Sequence, residues 1–245
     1  YRNIIIGKFN PMSLAKILFK EKFGYSIENE PINSLNRKLF NLAFFNPVDI
    51  WTTLADKLAV RKFVKSKGCA DILLTVYKYW DNVVVIDFSS LPNSFVLKCN
   101  HDNGSTILVY DKFSVDKSFI EDFYRRKLSL PFGIETAEPH YLGIKPFVFA
   151  EELLENDKQF SSGLVSYKFF SVHGKVKFCQ VIYDTECYDE QKSQIYETNG
   201  WIQCPGYILK NEGRMKIPQP TSLMKMLEVV ERLSSEISFC RVDLY

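Results

Sequence analysis

The first candidate for chemistry is a lysine near the end of an apolar strand. Residues 95–100 (Phe-Val-Leu-Lys-Cys-Asn) alternate so that Val96, Lys98 and Asn100 share one face. Lys98 comes just before the polar, glycine-containing run 101–105. A fixed positive charge beside backbone N–H groups suits a phosphate group. The alternative interpretation is an edge-strand lysine that discourages aggregation.

A second candidate lies in the last predicted strand, residues 239–245. Arg241 and Asp243 are two residues apart, so they project from the same face of that strand. A carboxylate there could hold Mg²⁺ while the guanidinium takes an anionic oxygen. The alternative is a surface ion pair that has no ligand.

Two further groups carry charge where it could matter. Glu151 and Glu152 end an apolar strand and fit either an adenine contact or a simple cap of the next turn. Lys57, Arg61 and Lys65 follow one another at four-residue spacing, which places them on one face of a helix. Such a row of side chains is usually solvated, but beside a phosphate site it would form a positively charged surface that lines the site.

The periodicity of apolar residues predicts the elements that hold these side chains. Residues 1–46 look helical, and Asp49 or Thr52 is expected to cap a helix that runs toward Gly68. The other predicted elements are strands at 72–77, 82–86, 95–100, 106–110, 144–150, 166–172 and 175–184, with a hairpin turn at His173-Gly174, a helix at 114–128 with Phe119, Ile120 and Phe123 on its apolar side, a helix capped by Thr221, and a strand at 239–245. This order predicts an α+β fold, or an α/β fold with antiparallel pairing.

Composition describes an ordinary globular chain. The 245 residues are 46% hydrophobic, and 31 basic against 29 acidic residues leave a net charge of +2, which is no electrostatic footprint for nucleic acid. No apolar run reaches the roughly 20 residues of a transmembrane helix, and no signal peptide is recognised, so a cytoplasmic protein is expected. The six cysteines are scattered and expected to be reduced, and three separated histidines make a zinc site improbable.

The common catalytic fingerprints are missing from the sequence. It contains neither G-x-G-x-x-G nor G-x-x-x-x-G-K-[ST], so neither a Rossmann site nor a P-loop is indicated. It also contains neither G-x-S-x-G nor H-E-x-x-H. No D-x-D triplet of the kind that a nucleotide-sugar metal site uses occurs; residues 184–189 hold only a looser acidic cluster.

Five segments, in order along the chain, resemble the motifs of one family. Residues 54–61 (LADKLAVR) are similar to its LADK-x-x-VR helix, and residues 95–101 are similar to its FVLKCNH strand and loop. Residues 150–152 (AEE), 167–169 (YKF) and 241–245 (RVDLY) resemble the remaining three. The chain from about residue 50 onward therefore resembles the TupA-like branch of the ATP-grasp ligases.

The resemblance implies an α+β ATP-grasp fold, in which two subdomains hold the nucleotide. It implies a helical N-terminal segment at 1–50, a small lid subdomain at 51–143 and a core subdomain at 144–245. The chain stops within its last predicted strand, whereas the family continues to a strand that contains a metal-binding glutamate. The core subdomain is therefore expected to be incomplete at its C-terminus.

The resemblance also implies roles for single residues. Lys57 and Lys98 are expected to contact ATP phosphates, under a mobile loop formed by residues 101–105. Arg241 is expected to steady an acyl-phosphate or substrate oxygen, and Asp243 to bind Mg²⁺. The remaining expected residues are Asn100, His101, Gly104 and Ser105 of the nucleotide site, Glu151, Glu152 and Leu153 of the adenine hinge, and Lys168 in the catalytic group with Lys98 and Arg241.

The implied activity uses ATP and Mg²⁺ to phosphorylate a carboxylate, after which an amine displaces phosphate. The expected partners are a sugar acid or glycan and an amine, in bacterial capsule or cell-surface polysaccharide synthesis, at the cytoplasmic side and near the inner face of the membrane. One departure is Ser166, which replaces an aspartate taken as a ribose contact; Glu155 and Asp157 are candidate substitutes. The alternatives are a non-catalytic nucleotide- or glycan-binding module and a glycosyltransferase of the same pathway.

Overall fold

The structure is a computed structural model of the chain. It describes residues 2–45, 48–81, 86–156, 160–185, 189–204, 211–213 and 215–245. Most of the strand predicted at 82–86, together with Asp157 and Cys187, lies outside these residues. The five cysteines within them are all free.

The described chain divides into two compact units. The first comprises residues 1–63 and 73–153, and the second comprises residues 64–72 and 154–245. The sequence-based boundary at residues 143/144 falls before a strand, β4 (Val148–Glu151), that belongs to the first unit because it pairs with two strands there.

The first unit begins with three helices, as the periodicity predicts. They are α1 (Arg2–Phe9), α2 (Pro11–Phe23) and α3 (Leu35–Phe44). The Asn10 side chain accepts a hydrogen bond from the Ser13 N–H to cap α2, which ends at Gly24 with φ of 80°. A short 3₁₀ turn, Ile27–Asn29, precedes α3. Among the described residues, no helix is both long enough and apolar enough to cross a bilayer.

The single helix predicted from residue 49 toward Gly68 is wrong, because the chain breaks it at Asp56. The structure has α4 (Ile50–Ala55) and α5 (Val60–Ser66) instead. The Asp56 backbone is extended, and its carboxylate accepts hydrogen bonds from two N–H groups of the next turn. The break places Lys57 in a turn, so it does not continue a helical stripe with Arg61.

The first unit contains a four-stranded antiparallel sheet. Its strands are β1 (Val76–Trp80), β2 (Phe95–Cys99), β3 (Ile107–Val109) and β4, in the order β1-β4-β2-β3. Side chains alternate as the sequence predicts, and one face forms a core beneath α6 (Lys117–Ser129). The core residues from β2, β4 and α6 are Phe95, Leu97, Cys99, Val148, Ala150, Ile120 and Tyr124.

Two details of α6 differ from the prediction. The helix begins three residues later than expected, because the Asp116 carboxylate caps it by accepting a hydrogen bond from the Phe119 N–H. The Phe119 side chain, predicted on the apolar side, is 58% exposed, while Tyr124 is fully buried. A phenol fits there because its hydroxyl donates to the Ser105 carbonyl at 2.7 Å.

The second unit is built on a five-stranded antiparallel sheet. Its strands are β5 (Ser166–Val172), β6 (Lys175–Tyr183), β7 (Lys192–Glu197), β8 (Ile202–Gln203) and β9 (Phe239–Leu244), in the order β8-β7-β6-β5-β9. The predicted hairpin turn is confirmed, with positive φ at both His173 (47°) and Gly174 (74°).

The helix α7 (Leu223–Ser234) covers one face of this sheet. Leu223 and Val230 on the helix pack with Phe169 and Val181 on the strands. The predicted cap at Thr221 is wrong, because Ser222 precedes the first helical residue and its side chain makes no capping hydrogen bond. The opposite face of β5 and β9 carries Lys168 and Asp243 together with the rings of Phe170 and Phe239.

Candidate active site

The register of β2 and β4 brings Lys98 and Glu151 together. Glu151 pairs with Val96, and Lys98 pairs with Phe149, so the two charged residues lie on the face opposite the core. The Lys98 ammonium forms an ion pair with the Glu151 Oε1. Only 24% of the lysine side chain and 8% of the glutamate side chain are exposed. Because β2 lies between β4 and β3, the edge-strand interpretation of Lys98 is wrong.

Lys57 approaches the same region from the turn after α4. Its backbone N–H donates to the Asn100 carbonyl at 3.1 Å, and its ammonium donates to the Asp102 carbonyl. Burial lowers the pKa of Lys57 below its usual value; the Asp102 carboxylate opposes this shift, and the Lys98 ammonium adds to it. Lys57 and Lys98 are called here the lysine pair, because the hydrogen bonds of Lys57 attach it to Asn100 and Asp102, just beyond the end of the strand that carries Lys98.

Asn100 braces this arrangement from a fully buried position. Its amide nitrogen donates to the Asp56 carboxylate at 2.9 Å and to the Lys145 carbonyl at 3.0 Å. Its amide oxygen accepts from the Phe147 N–H at 2.7 Å. Both donor hydrogens are therefore used within the protein. The side chain positions the turn that carries Lys57, and its direct contact with a nucleotide stays a prediction.

The loop after β2 has a buried base and an exposed tip. The Ser105 hydroxyl accepts from the Cys99 N–H at 2.8 Å and donates to the Asp102 Oδ1 at 2.5 Å. Only Asn103 and Gly104 of residues 101–105 are exposed. Gly104 has φ of 85° with open space around the position of a side chain, as a turn at a loop tip requires.

His101 lies in the buried part of that loop. Its side chain is 3% exposed, and the backbone carbonyls of Lys127 and Leu130 interact with its ring. Burial lowers the pKa of His101, opposed by the Asp102 carboxylate, so its imidazole is neutral at pH 7. Burial also raises the pKa of the neighbouring Cys99 thiol to about 12. Cys99 is therefore a thiol at neutral pH, which argues against a cysteine nucleophile here.

The predicted adenine hinge follows directly on β4. Glu152 is exposed, and its backbone N–H donates to the Thr75 carbonyl at 2.9 Å while its carboxylate accepts from the Thr75 N–H at 3.2 Å. Leu153 is partly buried. Glu151 differs from both because its carboxylate forms an ion pair with Lys98.

In the second unit, Lys168, Arg241 and Asp243 form the β9 cluster. Lys168 and Asp243 are direct partners across β5 and β9, and their charged atoms are 3.4 Å apart. The Arg241 guanidinium donates to both oxygens of Asp243, from Nε to Oδ1 at 2.7 Å and from Nη2 to Oδ2 at 2.9 Å. The same-face relationship predicted for Arg241 and Asp243 is therefore confirmed. Two cations hold one carboxylate in a fixed orientation.

Comparison with known families identifies the chain. A family model described as TupA-like ATPgrasp matches residues 38–245, which is most of the chain. The chain belongs to the TupA-like ATP-grasp family. A search of curated proteins found no match. Membership indicates ATP-dependent, ligase-type activity, and ATP-grasp proteins generally bind ATP with Mg²⁺. The predicted α+β ATP-grasp fold agrees with the mixed helices and antiparallel sheets described above.

The expected TupA-like site residues fall into two groups. Those of the first unit gather around the lysine pair and the ends of β2 and β4; those of the second unit form the β9 cluster. The sequence interpretation missed Asp56 and Asp102, which position Lys57 through its turn and through its ammonium. Their polarity beside a lysine and a glycine loop was visible, but their burial depends on long-range packing.

Ser166 occupies the position where the family carries aspartate. It is 7% exposed, and its hydroxyl has no hydrogen-bond partner within the described residues. Alternation along β5 places Ser166 on the same face as Lys168. Of the two candidate substitutes for that aspartate, Glu155 is exposed, and Asp157 lies outside the described residues. An unpaired buried hydroxyl retains the capacity to bond a ligand.

The Mg²⁺ expected of this family can be tested against the donors present. In the described part of the chain, no group of three His, Cys, Asp or Glu residues could hold a metal ion. Mg²⁺ is commonly bound by one or two carboxylates together with substrate phosphates. Asp243 fits as one such ligand, since its Oδ1 keeps a lone pair beyond its bond to Arg241. A single carboxylate such as Asp243 fits a Mg²⁺ that binds together with ATP. It does not fit a site in which protein side chains alone hold the metal.

Two cavities lie away from the lysine pair, within the first unit. One of about 400 Å³ is lined by α2, α3, Trp51 and residues 136–140. The other, of about 290 Å³, shares Trp51 and His140 with it. Both are bordered by the helical N-terminal segment rather than by the expected nucleotide residues.

Proposed function

We propose that this protein is an ATP- and Mg²⁺-dependent carboxylate–amine ligase that acts on a sugar acid. The observation that carries the proposal is the lysine pair: Lys98 extends from β2, and Lys57 is hydrogen-bonded to the carbonyls of Asn100 and Asp102, which directly follow that strand. Two neighbouring cations repel each other until an anion lies between them. A polyphosphate relieves that repulsion, and the charge-assisted hydrogen bonds formed would be strong.

The two lysines would have different tasks. Lys98 extends from a central strand and is oriented by Glu151, so its ammonium occupies a fixed place. The Lys57 ammonium donates to the backbone carbonyl of Asp102, and a phosphate oxygen can replace that carbonyl without leaving a buried carboxylate unpaired. We assign Lys57 and Lys98 to the phosphates, and the chain around Glu152 and Leu153 to adenine.

The β9 cluster would serve the transferred phosphoryl group. Bound Mg²⁺ would neutralise charge on the phosphates. Asp243 would supply its protein ligand, and Arg241 and Lys168 would donate to oxygens that become more negative during transfer. The Arg241–Asp243 pair keeps both side chains oriented before the nucleotide arrives. Positioning and electrostatics then carry the catalysis without a protein nucleophile.

The proposed reaction has two steps, phosphorylation of the carboxylate and then formation of the amide. A carboxylate oxygen attacks the γ-phosphorus, the bond to the β–γ bridging oxygen breaks, and ADP leaves. The amine then attacks the acyl carbon, phosphate departs with the bonding pair, and the amine gives up a proton to solvent. The assignment to a sugar acid and to cell-surface polysaccharide synthesis derives from the family resemblance.

A non-catalytic nucleotide-binding module is the second candidate. Two observations favour it. The Asp243 carboxylate already has two cationic partners, and a serine replaces the aspartate expected at Ser166. Such a module would use the lysine pair to hold ATP but would release no ADP.

Thermal unfolding and ADP release together test the proposal. We expect Mg·ATP to raise the melting temperature, and ADP to be released only when a uronic acid and an amine are both present. An unchanged melting temperature at millimolar Mg·ATP would overturn ATP binding altogether. A raised melting temperature without ADP release, across a panel of uronic acids and amines, would favour the binding module. Release of UDP from a UDP-sugar would favour a glycosyltransferase.

A further inference from the structure

The N-terminal segment differs in charge from the rest of the protein. Residues 2–45 contain seven basic and three acidic residues, a net charge of +4. The rest of the chain holds 24 basic and 26 acidic residues, a net charge of −2. Helices α1 and α2 also precede residue 38, where the family match begins. The family match therefore does not cover α1 and α2.

The same segment exposes an unusual amount of apolar surface. Eight of the twenty large hydrophobic residues recorded as exposed in the described chain lie within residues 2–45. Phe9 is 79% exposed, Ile32 81% and Ile5 60%. The others are Ile4, Phe23, Tyr25, Leu35 and Phe45. Exposed apolar groups at this density mark an interaction surface.

Cations stand directly beside these apolar side chains. The Lys8 ammonium is 6.0 Å from the centroid of the Phe9 ring, and the Lys22 ammonium is 5.5 Å from that of Phe23. Lys8, Lys20 and Lys22 make no ion pair in the part of the chain that the structure describes. These charges are thus available to an external anion.

Part of this surface, at Lys22 and Phe23, borders the 400 Å³ groove. Lys22 and Phe23 line it together with apolar residues of α2 and α3. Phe23 also stacks with Phe19 and Tyr25, at centroid distances of 4.5 and 6.3 Å. One cation at the edge of an aromatic and aliphatic groove matches a molecule that has an anionic head and an apolar chain.

We propose that the exposed side chains of residues 2–45 dock the protein on the surface of an anionic lipid bilayer. Phe9, Ile5 and Phe23 would enter the boundary between headgroups and acyl chains, while Lys8 and Lys22 contact lipid phosphates. Exposed apolar side chains beside cations match both the acyl and the phosphate parts of an anionic bilayer surface. A nucleic-acid surface would use the cations but not the exposed aliphatic groups.

Vesicle flotation of the full chain tests this docking. We expect binding to vesicles of phosphatidylcholine and phosphatidylglycerol in equal parts, weak binding to phosphatidylcholine alone, and release in molar NaCl. The substitution Lys22→Gln should weaken binding about fivefold, the effect of one cation near an anionic surface. The substitution Phe9→Ser should weaken it by about tenfold, because one buried aromatic side chain is lost.

Two matched variants control for general changes of surface charge and hydropathy. Phe113 is 82% exposed and has a lysine 5.5 Å from its ring, so Phe113→Ser copies the chemical change at Phe9 outside the segment. Lys177 is an exposed lysine of β6, so Lys177→Gln matches Lys22→Gln. Neither control should alter vesicle binding.

Several results would overturn the proposal. These are absence of binding to anionic vesicles at low salt, equal binding to both vesicle types, or equal loss in Phe9→Ser and Phe113→Ser. Retention of DNA without retention of vesicles would also overturn it, in favour of a polyanion site. All four substitutions replace exposed side chains, so circular dichroism should show an unchanged fold.

Discussion

The Lys98 ammonium and the Glu151 carboxylate form an ion pair across two central strands, on the face of the sheet opposite its core. The glutamate side chain is almost fully buried, while a quarter of the lysine side chain reaches solvent. An anion can therefore approach the lysine but not the glutamate. Under the proposed function, the pair presents an oriented donor to an incoming phosphate.

Replacing Lys98 by methionine should affect both stability and nucleotide binding. Removing the ammonium leaves a buried carboxylate unpaired, which should cost about 1–3 kcal/mol in urea unfolding. The variant should also lose the rise in melting temperature that Mg·ATP produces. Lys78→Met is the matched control, because Lys78 pairs with Asp87 at an exposed site and should cost less than about 1 kcal/mol. A full Mg·ATP shift in Lys98→Met would remove Lys98 from the phosphate site.

Asp243→Asn should separate binding from turnover. The change keeps the size of the side chain but removes the charge that Mg²⁺ requires, so ADP release should fall by a factor of about 100 or more. The Mg·ATP thermal shift should largely persist, and Mg²⁺ alone should shift neither protein. Asp81→Asn, at an exposed pair with Lys145, serves as the control. Unchanged ADP release would exclude Asp243 as a metal ligand.

Asn100→Ala should destabilise the first unit. The substitution leaves the Lys145 carbonyl and the Phe147 N–H without their partner, and we expect a loss of about 2–4 kcal/mol in the free energy of unfolding. Asn103→Ala, at the exposed tip of the next loop, should change it by less than about 0.5 kcal/mol. Equal effects at the two positions would contradict the bracing role.

Stability should fall as the pH drops through the ordinary titration range of histidine. Burial lowers the pKa of His101 in the native state. Below about pH 6.5 the unfolded chain therefore binds a proton that the native chain does not bind, which favours unfolding. The contribution of His101 to the free energy of unfolding is fully present above about pH 6.5 and is lost as the pH falls toward the lowered native pKa. Burial also lowers the pKa of His140, which acts in the same direction.

Urea unfolding between about pH 7.5 and about pH 5.5 measures this effect. His101→Gln should flatten the dependence, leaving the part that belongs to His140. Carboxyl groups such as Glu28, whose pKa is lowered to about 2 by Lys16, act at more acidic pH. An NMR titration of the His101 ring that gave a pKa above about 6.5 would contradict the prediction.

Local sequence predicted the elements whose signals are short-range. The alternation in β2, the hairpin at His173-Gly174 and the pairing of Arg241 with Asp243 all depend on neighbours within a few residues. The same reasoning failed at α4 and α5. The break at Asp56 is stabilised by an Asn100 side chain 44 residues away, and such a partner leaves no local periodicity.

The sequence by itself determined the family, the α+β class and the residue types proposed here for a phosphate site, because motifs and alternation are written along the chain. Only the tertiary structure decided that Lys98 lies on a central strand, that Glu151 is its partner and that Lys57 is hydrogen-bonded to Asn100 and Asp102. Burial of His101 and the exposure of Phe9 were decided there as well. The physical reason is that burial and pKa depend on atoms brought together from distant positions, which no single segment specifies.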